Sequence, residues 1–162
     1  MQLSGGRITW TVPLGRRDGV VSSAAEVTGK LPGPTANLAT LKALFAAAGL
    51  STEEMVTLSG AHSVGVAGCG AIQNRLSTTP TDPTLDANYV AVLAKQCPAG
   101  SNNSVNLDLT TPTRLDEVYY KNLQVGKGLM TSDQVLFEEA GPRAWWQRTP
   151  TSLCSSASLW RR

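Results

Sequence analysis

SGAHSVGVAGCGAIQNRL, residues 59–76, contains the only histidine of the chain, His62, and the first of its three cysteines, Cys69. Four glycines interrupt this stretch, and each costs about 1 kcal/mol within a helix. Its alanine, valine and isoleucine residues nevertheless recur at helical spacing. We therefore expect a helix over 59–76 whose small residues let a neighbouring element or a flat ligand approach closely.

Short helices joined by turns rich in glycine and proline are expected on both sides of this stretch. Asn37 stands at the N-cap position of an apolar helical pattern that ends at Gly49. Ser51, followed by Glu54, has the spacing of a capping box and opens a second helix through about Leu58. Further helices are expected over 88–97, 115–123 and 132–139, and loops over 22–37, 78–86 and 98–113. The predicted fold class is therefore all-α.

The composition of the 162 residues is that of a folded domain, with 41% hydrophobic and 16% charged residues. A chain of this length buries a substantial core, and its hydrophobic content argues against intrinsic disorder. No apolar run approaches the roughly 20 residues that a membrane-spanning helix needs, so no membrane association is expected. The net charge of +2 is too small to indicate a nucleic-acid partner.

The C-terminal residues differ in character from the rest. Residues 144–162 contain three of the four tryptophans, three arginines and no acidic residue, whereas residues 1–143 hold 11 basic and 12 acidic side chains. We therefore expect a domain over 1–143 and an atypical basic, tryptophan-rich tail over 144–162. The tail is predicted to be unstructured or to come from a shifted reading frame or a splicing product. A genuine basic and aromatic surface segment is the alternative.

A single histidine limits the metal chemistry of the chain. Zinc would need His62 together with Cys69, Cys97 and Cys154, a set that lacks any CxxC pair. Haem needs only one protein nitrogen on one side of its iron, which a lone histidine supplies. A metal-bound histidine usually donates its second N–H to a carboxylate or carbonyl, but spacing alone does not choose that partner. A purely structural histidine is the alternative.

The segment DLTTPTRLD (108–116) is rich in oxygen ligands, with two carboxylates, three threonines and a rigid proline. Calcium prefers six to eight such oxygens, some of them backbone carbonyls of a loop. The alternative is a helix N-terminus capped by Thr113 or Asp116, and both interpretations can hold together. Cys69 and Cys97, 28 residues apart, either form a disulfide in an oxidising compartment or are buried free thiols.

Five segments, in order along the chain, resemble the class III haem peroxidases, the secretory peroxidases of plants. They are WTVPLGRRDG (10–19), LPGPTANL (31–38), LSGAHSVG (58–65), DLTTPTRLDEVYYKNL (108–123) and KGLMTSDQVLF (127–137). Their order and spacing extend the resemblance over nearly all of residues 4–143. It implies the proximal half of the all-α haem-peroxidase fold, haem b and Ca²⁺ as cofactors, and hydrogen peroxide and small phenolic donors as reaction partners. It also implies a secreted, monomeric protein.

The resemblance assigns roles to individual residues. His62 is implied to be the proximal ligand of the haem iron, and Asp133 the carboxylate that accepts its N–H. Pro32 is implied to lie at the haem edge where donors dock, and Cys69 and Cys97 to form a disulfide. Calcium is implied to be bound by Ser63, Asp108, Thr111, Asp116 and the carbonyl of Arg114. A threonine is more usual in the family where Ser63 stands, but serine keeps the hydroxyl.

The family's reaction also needs a distal histidine and a distal arginine, which move a proton and stabilise charge as the O–O bond breaks. Neither has a counterpart in these residues, and no secretory leader is visible after Met1. The expected function is that of a haem peroxidase oxidoreductase. The alternatives are an inactive truncated product or gene-model fragment, or a small calcium-binding module. Loss of the partner elements predicts a chain that is marginally stable or aggregates when isolated.

Overall fold

The computed structural model describes residues 14–15, 17–77 and 82–137, and within them the fold is mostly short helices, as predicted. The tail predicted over 144–162 lies outside the described residues. Six α-helices follow one another along the described chain: α1 Leu38–Ala47, α2 Thr52–Ser59, α3 Gln73–Leu76, α4 Ala87–Gln96, α5 Val118–Gln124 and α6 Thr131–Gln134. Short 3₁₀ turns occur at Ala24–Val27, Gly60–Ser63, Cys69–Ala71 and Val135–Phe137.

The first two helices begin where their capping residues predict. Asn37 accepts a hydrogen bond from the backbone N–H of Thr40 at 2.9 Å, which starts α1. Ser51 and Glu54 form the reciprocal capping box at the start of α2, with distances of 2.8 and 3.1 Å. These contacts satisfy backbone donors that lack partners in the first turn of a helix. Both caps confirm the prediction.

The prediction of a single helix over 59–76 is wrong. The chain leaves α2 at Ser59, makes the 3₁₀ turn Gly60–Ser63, and then forms strand β1, Val66–Gly68. β1 pairs in antiparallel fashion with β2, Ser104–Asn106, which lies in the segment expected to be a loop. Gly65 between turn and strand has a φ of +112°, a backbone conformation that only glycine adopts easily. Pairing with residues 36 to 40 positions further along the chain therefore replaces the helix that the local periodicity predicted.

The described residues pack into two hydrophobic clusters. The first joins α1, α2 and α5 with the 3₁₀ turn Val135–Phe137. The second joins α3, α4 and the two strands, and includes Leu93, Val105 and Leu129. Among the described residues, no helix is long and apolar enough to cross a membrane.

Gly60 lets α5 approach the turn that carries His62. A Cβ atom at Gly60 would collide with the hydroxyl of Tyr120. That hydroxyl donates a hydrogen bond to the carbonyl of Val56 in α2 at 2.9 Å. The close approach of the tyrosine therefore packs the end of α2 against α5.

A disulfide joins Cys69 to Cys97, with their Cα atoms 5.3 Å apart, so the implied pairing is confirmed. It also rules out the zinc site that needed both thiolates. The bridge closes 28 residues of chain, and in the chain-entropy model such a loop stabilises by about 3–4 kcal/mol.

Replacing both bridge cysteines, Cys69→Ala with Cys97→Ala, is therefore expected to lower the free energy of unfolding by about 3–4 kcal/mol. Urea denaturation at matched protein concentration measures the loss. A thiol reductant is the control: it should destabilise the parent chain by a similar amount and leave the double variant unchanged. Equal urea midpoints for the parent and the double variant would contradict the expectation.

Candidate functional site

The structure brings His62 and Asp133 together although 71 residues separate them. His62 lies in the 3₁₀ turn that follows α2, and Asp133 lies in the first turn of α6. Nδ1 of the imidazole is 2.7 Å from Oδ1 of the carboxylate. The geometry is that of a histidine whose ring orientation is fixed from behind by an acid.

Asp133 is held by further donors besides the histidine. Its side chain is buried, with a residue exposure of 2%. Oδ2 accepts the backbone N–H of Met130 at 3.0 Å, and Oδ1 also accepts the hydroxyl of Tyr119 at 2.9 Å. These contacts compensate the burial of the carboxylate and leave it little freedom to rotate.

The carboxylate also controls the protonation of the ring. The hydrogen bond from His62 to Asp133 raises the pKa of His62 above its ordinary value of 6.5, which outweighs the lowering caused by partial burial. Because the folded-state pKa is raised, the stability that this group contributes is fully present below pH 6.5. It is lost as the pH rises through the raised pKa. In the neutral ring the proton sits on Nδ1, where Asp133 accepts it, and Nε2 keeps its lone pair.

His62 is suited to bind a metal through its second nitrogen. Its side chain is 38% exposed, and Nε2 has no hydrogen-bond partner among the described residues. A neutral imidazole with a carboxylate on Nδ1 is the usual donor arrangement at a metal centre. The pair therefore fits the single axial nitrogen that a haem iron takes from its protein.

Ser63, the residue after His62, lies at the centre of an oxygen-rich cluster. Its hydroxyl oxygen is 2.9 Å from the carbonyl oxygen of Arg114 and 3.2 Å from that of Asp116. The same oxygen is 3.1 Å from the backbone nitrogen of Asp116. Ser63 has no exposed surface. This serine therefore ties the turn that carries His62 to the loop before α5.

Two carboxylates complete the cluster. The hydroxyl of Thr111 is 3.0 Å from Oδ1 of Asp116 and 3.4 Å from Oδ2 of Asp108. A hydroxyl carries one proton, so it can donate to only one of these carboxylates at a time. Asp108 is itself fixed through Oδ1, which accepts an N–H of the Asn122 side chain at 2.9 Å. Two anions around one donor favour a cation between them.

The donor set of the cluster fits a hard cation. It offers carboxylate, hydroxyl and carbonyl oxygens, which are the ligands that calcium prefers. Among the described residues, no group of three or more histidine, cysteine, aspartate or glutamate side chains is placed to hold a metal ion, and this cluster contributes two carboxylates. The alternative was a helix capped by Thr113 or Asp116, but the N-cap residue of α5 is Glu117 and its side chain makes no capping hydrogen bond. Asp116, the residue before it, accepts the backbone N–H of Val118 at 2.9 Å.

Pro32 lies on an exposed loop whose continuation runs beside α6. The backbone N–H of Ser132 donates to the carbonyl of Pro34 at 3.1 Å. This bond ties the loop to the residue directly before Asp133. The contact with α6 is made by Pro34, two residues after Pro32, and assigns no role to Pro32 itself.

Two buried polar residues of this region were not predicted from the sequence. Tyr119 contacts Asp133, as described above. Arg75 in α3 is 1% exposed and binds the segment that precedes α6. Its guanidinium donates to the backbone carbonyls of Gly128, Leu129 and Met130. No sequence signal marked Arg75, because its neighbours Gln73 and Asn74 are polar as well.

The chain is similar to known proteins along most of its length. Residues 1–152 match the family model described as "Peroxidase". The chain is 51% identical to Peroxidase 51 of Arabidopsis thaliana over 146 residues, covering 86% of this chain and 44% of the relative. It is 42% identical to Peroxidase 45 of Arabidopsis thaliana over 166 residues, covering 99% of this chain and 50% of the relative. It is also 42% identical to Peroxidase 5 of Vitis vinifera over 146 residues, covering 86% and 44%. The chain thus spans about half the length of the curated relatives it matches.

Proposed function

This chain belongs to the peroxidase family, and on that premise we propose that it provides the proximal side of a haem peroxidase. In this proposal, His62 is the axial ligand of haem iron and Asp133 is its hydrogen-bond acceptor. The observation that carries the proposal is the 2.7 Å contact between Nδ1 of His62 and Oδ1 of Asp133. Bound haem b supplies the redox centre at which hydrogen peroxide is reduced and phenolic donors are oxidised.

In this proposal the protein makes Nε2 of His62 available as a ligand for iron. Asp133 accepts the Nδ1 proton, so the ring presents the lone pair of Nε2 to a metal. The negative charge behind the ring increases its electron density and makes Nε2 a stronger donor. Because Asp133 is itself buried and hydrogen-bonded, the ring does not have to reorganise when it binds iron.

The same residues do not supply the proton transfer on the opposite side of the iron. His62 is the only histidine of the 162 residues. If its ring binds iron, it cannot also act as the base that moves a proton between peroxide oxygens. The proposal therefore assigns binding and electronic tuning of the iron to this chain.

Calcium is proposed as the second cofactor, bound by Ser63, Asp108, Thr111, Asp116 and the carbonyl of Arg114. The support is the oxygen cluster, in which two carboxylates share one hydroxyl donor. Ser63 follows His62 directly, so a cation there would brace the turn that carries the ligand. In this proposal calcium acts on structure, and the chemistry of the cluster does not include a reaction step.

Further parts of the proposal concern donor docking, localisation and domain organisation. We propose that Pro32 lies where donors dock, because its loop is tied to α6 beside Asp133. A secreted, monomeric protein is proposed as well, since the Cys69–Cys97 disulfide is of the kind that persists in oxidising compartments. The division into a domain over 1–143 and a tail over 144–162 also remains a prediction.

Titration of the 162-residue chain with ferric haem tests the proposal. We expect a Soret band that saturates at one haem per chain, and we expect His62→Ala to weaken binding by about 100-fold, or about 2.7 kcal/mol. Added imidazole should restore the band to His62→Ala, because it replaces the missing ligand. Equal affinity of the parent chain and His62→Ala would contradict the proposal.

The same haem-titrated chain distinguishes the proposed proximal role from an inactive product and from a complete peroxidase. A chain that binds haem through His62 but does not oxidise guaiacol with hydrogen peroxide carries only the proximal role that is proposed here. A chain without a His62-dependent band is the inactive product. Measurable turnover that depends on His62 would show that these residues alone suffice for the reaction. It would contradict the argument that a chain with a single histidine cannot both bind the iron and move the peroxide proton.

A further inference from the structure

The hydroxyl of Tyr119 and the imidazole of His62 donate to the same oxygen atom. Tyr119 Oη is 2.9 Å and His62 Nδ1 is 2.7 Å from Oδ1 of Asp133. An ionised carboxylate only accepts hydrogen bonds, so the tyrosine must be the donor in its contact. The two protons therefore compete for the electron density of one oxygen.

Packing fixes the tyrosine in this position. Tyr119 is 2% exposed. Its ring lies edge-on to the ring of His62, with centroids 6.2 Å apart and an angle of 86° between the planes. The ring of the neighbouring Tyr120 is 5.0 Å away at 70°. A phenol held between two rings cannot easily turn its hydroxyl away from the carboxylate.

Each donor to a carboxylate stabilises part of its negative charge. Because the hydroxyl of Tyr119 takes up part of the charge on Oδ1, the hydrogen bond that this oxygen accepts from Nδ1 is weaker, and the imidazole keeps less negative character. The hydroxyl of Tyr119 thus acts against the effect of Asp133 on the ring, and does so without touching the ring's ligand atom.

We propose that Tyr119 is a positioning residue that limits how strongly Asp133 polarises His62, and thereby sets the donor strength of Nε2 toward the iron. The hydrogen bond between His62 and Asp133 is present without any cofactor. The consequence for the iron rests on the proposed function.

Tyr119→Phe is the informative substitution because it removes only the hydroxyl and keeps the ring packing. Asp133 retains its contacts with His62 and with the backbone of Met130. Tyr120→Phe is the matched control. It removes the hydroxyl of the adjacent buried tyrosine, which donates to the carbonyl of Val56 rather than to Asp133.

The first measurement is the proton resonance of His62 Nδ1–H in the haem-free, ¹⁵N-labelled chain at one fixed pH. The single histidine makes the assignment unambiguous. We expect a downfield shift in Tyr119→Phe, since Oδ1 then has one donor fewer and binds the histidine proton more strongly. In Tyr120→Phe the resonance should stay at the parent position. An unshifted resonance in Tyr119→Phe, or equal shifts in both variants, would overturn the proposal.

The second measurement is the iron–histidine stretching frequency of the ferrous haem complex by resonance Raman spectroscopy. We expect a higher frequency in Tyr119→Phe than in the parent, and no change in Tyr120→Phe. A frequency that falls or stays constant in Tyr119→Phe would overturn the proposal. If the parent chain gives no such band, the proposed haem function fails, and the proton resonance still decides whether Tyr119 tunes the pair.

Discussion

Arg75→Met is expected to lower the free energy of unfolding by about 3–5 kcal/mol, which is the usual cost of removing one partner from a buried, hydrogen-bonded ion pair. Nε of Arg75 is 2.8 Å from Oδ2 of Asp82 and Nη2 is 3.0 Å from the hydroxyl of Thr84. Methionine keeps much of the apolar volume but none of the donors, so the loss reports the polar contacts.

Part of this loss should come from the backbone carbonyls of Gly128 and Leu129, for which the described residues offer no other donor, whereas that of Met130 also accepts the backbone N–H groups of Asp133 and Gln134. Nη1 of Arg75 binds the carbonyl of Gly128, and lies 3.3 Å from that of Leu129 and 3.2 Å from that of Met130. Each buried acceptor left without a donor costs about 1–3 kcal/mol. Because domains are stable by only about 5–15 kcal/mol, the variant is expected to be close to unfolding.

Arg114→Met is the matched control for Arg75→Met. The side chain of Arg114 is 59% exposed, and its nearest acidic contact, Asp116, is 3.9 Å away. An exposed pair of this kind is worth about 0–1 kcal/mol. Urea denaturation of both variants compares their free energies of unfolding, provided that the free energy falls with urea concentration at the same slope in both. Equal losses in the two variants would show that the buried network of Arg75 contributes no more than a surface charge.

Calcium is expected to raise the stability of the haem-free chain, and Asp108→Asn to abolish that response. At a calcium concentration about 1,000 times its dissociation constant, the stabilisation would be about 4 kcal/mol. Asp108 is 1% exposed and shares the Thr111 hydroxyl with Asp116, so its charge is the one that a cation would compensate most directly. The asparagine keeps the shape of the side chain and removes the charge.

Thermal unfolding in calcium and in a chelator measures this effect. Asp18→Asn serves as the control, because Asp18 is exposed and lies outside the oxygen cluster. Its melting temperature should respond to calcium as the parent's does. A parent chain whose melting temperature is the same in calcium and in chelator would contradict the calcium proposal, and so would an undiminished response of Asp108→Asn.

Local signals in the sequence predicted the parts of the fold that depend on local contacts. Asn37 and Ser51 were recognisable as caps because each binds a backbone group three residues away. The helix expected over 59–76 failed for the opposite reason. Its residues Val66–Gly68 pair with Ser104–Asn106, and a periodicity computed within a short window carries no information about such a distant partner.

In the candidate site, too, local sequence signals predicted some residues and missed those whose contacts are distant along the chain. His62 was conspicuous as the only histidine, but spacing could not choose Asp133 among 12 acidic residues, and only the family resemblance did so. Tyr119 and Arg75 were missed because nothing in their neighbourhood distinguishes them from ordinary helix residues. Their roles come from contacts with residues distant in the sequence. Tyr119 contacts Asp133, 14 residues away, and Arg75 contacts carbonyls 53 to 55 residues away.

The measurement that tests the His62–Asp133 pair most directly is an NMR titration of the single imidazole in the haem-free chain. We predict a pKa above 6.5 for His62, and a neutral ring that carries its proton on Nδ1. In Asp133→Asn the pKa should fall, because the hydrogen-bonded anion that raises it is gone. The account would be contradicted if the pKa of His62 in the parent chain were at or below 6.5 and did not change in Asp133→Asn. A neutral ring with its proton on Nε2 would contradict it as well, because Nε2 could then not bind iron.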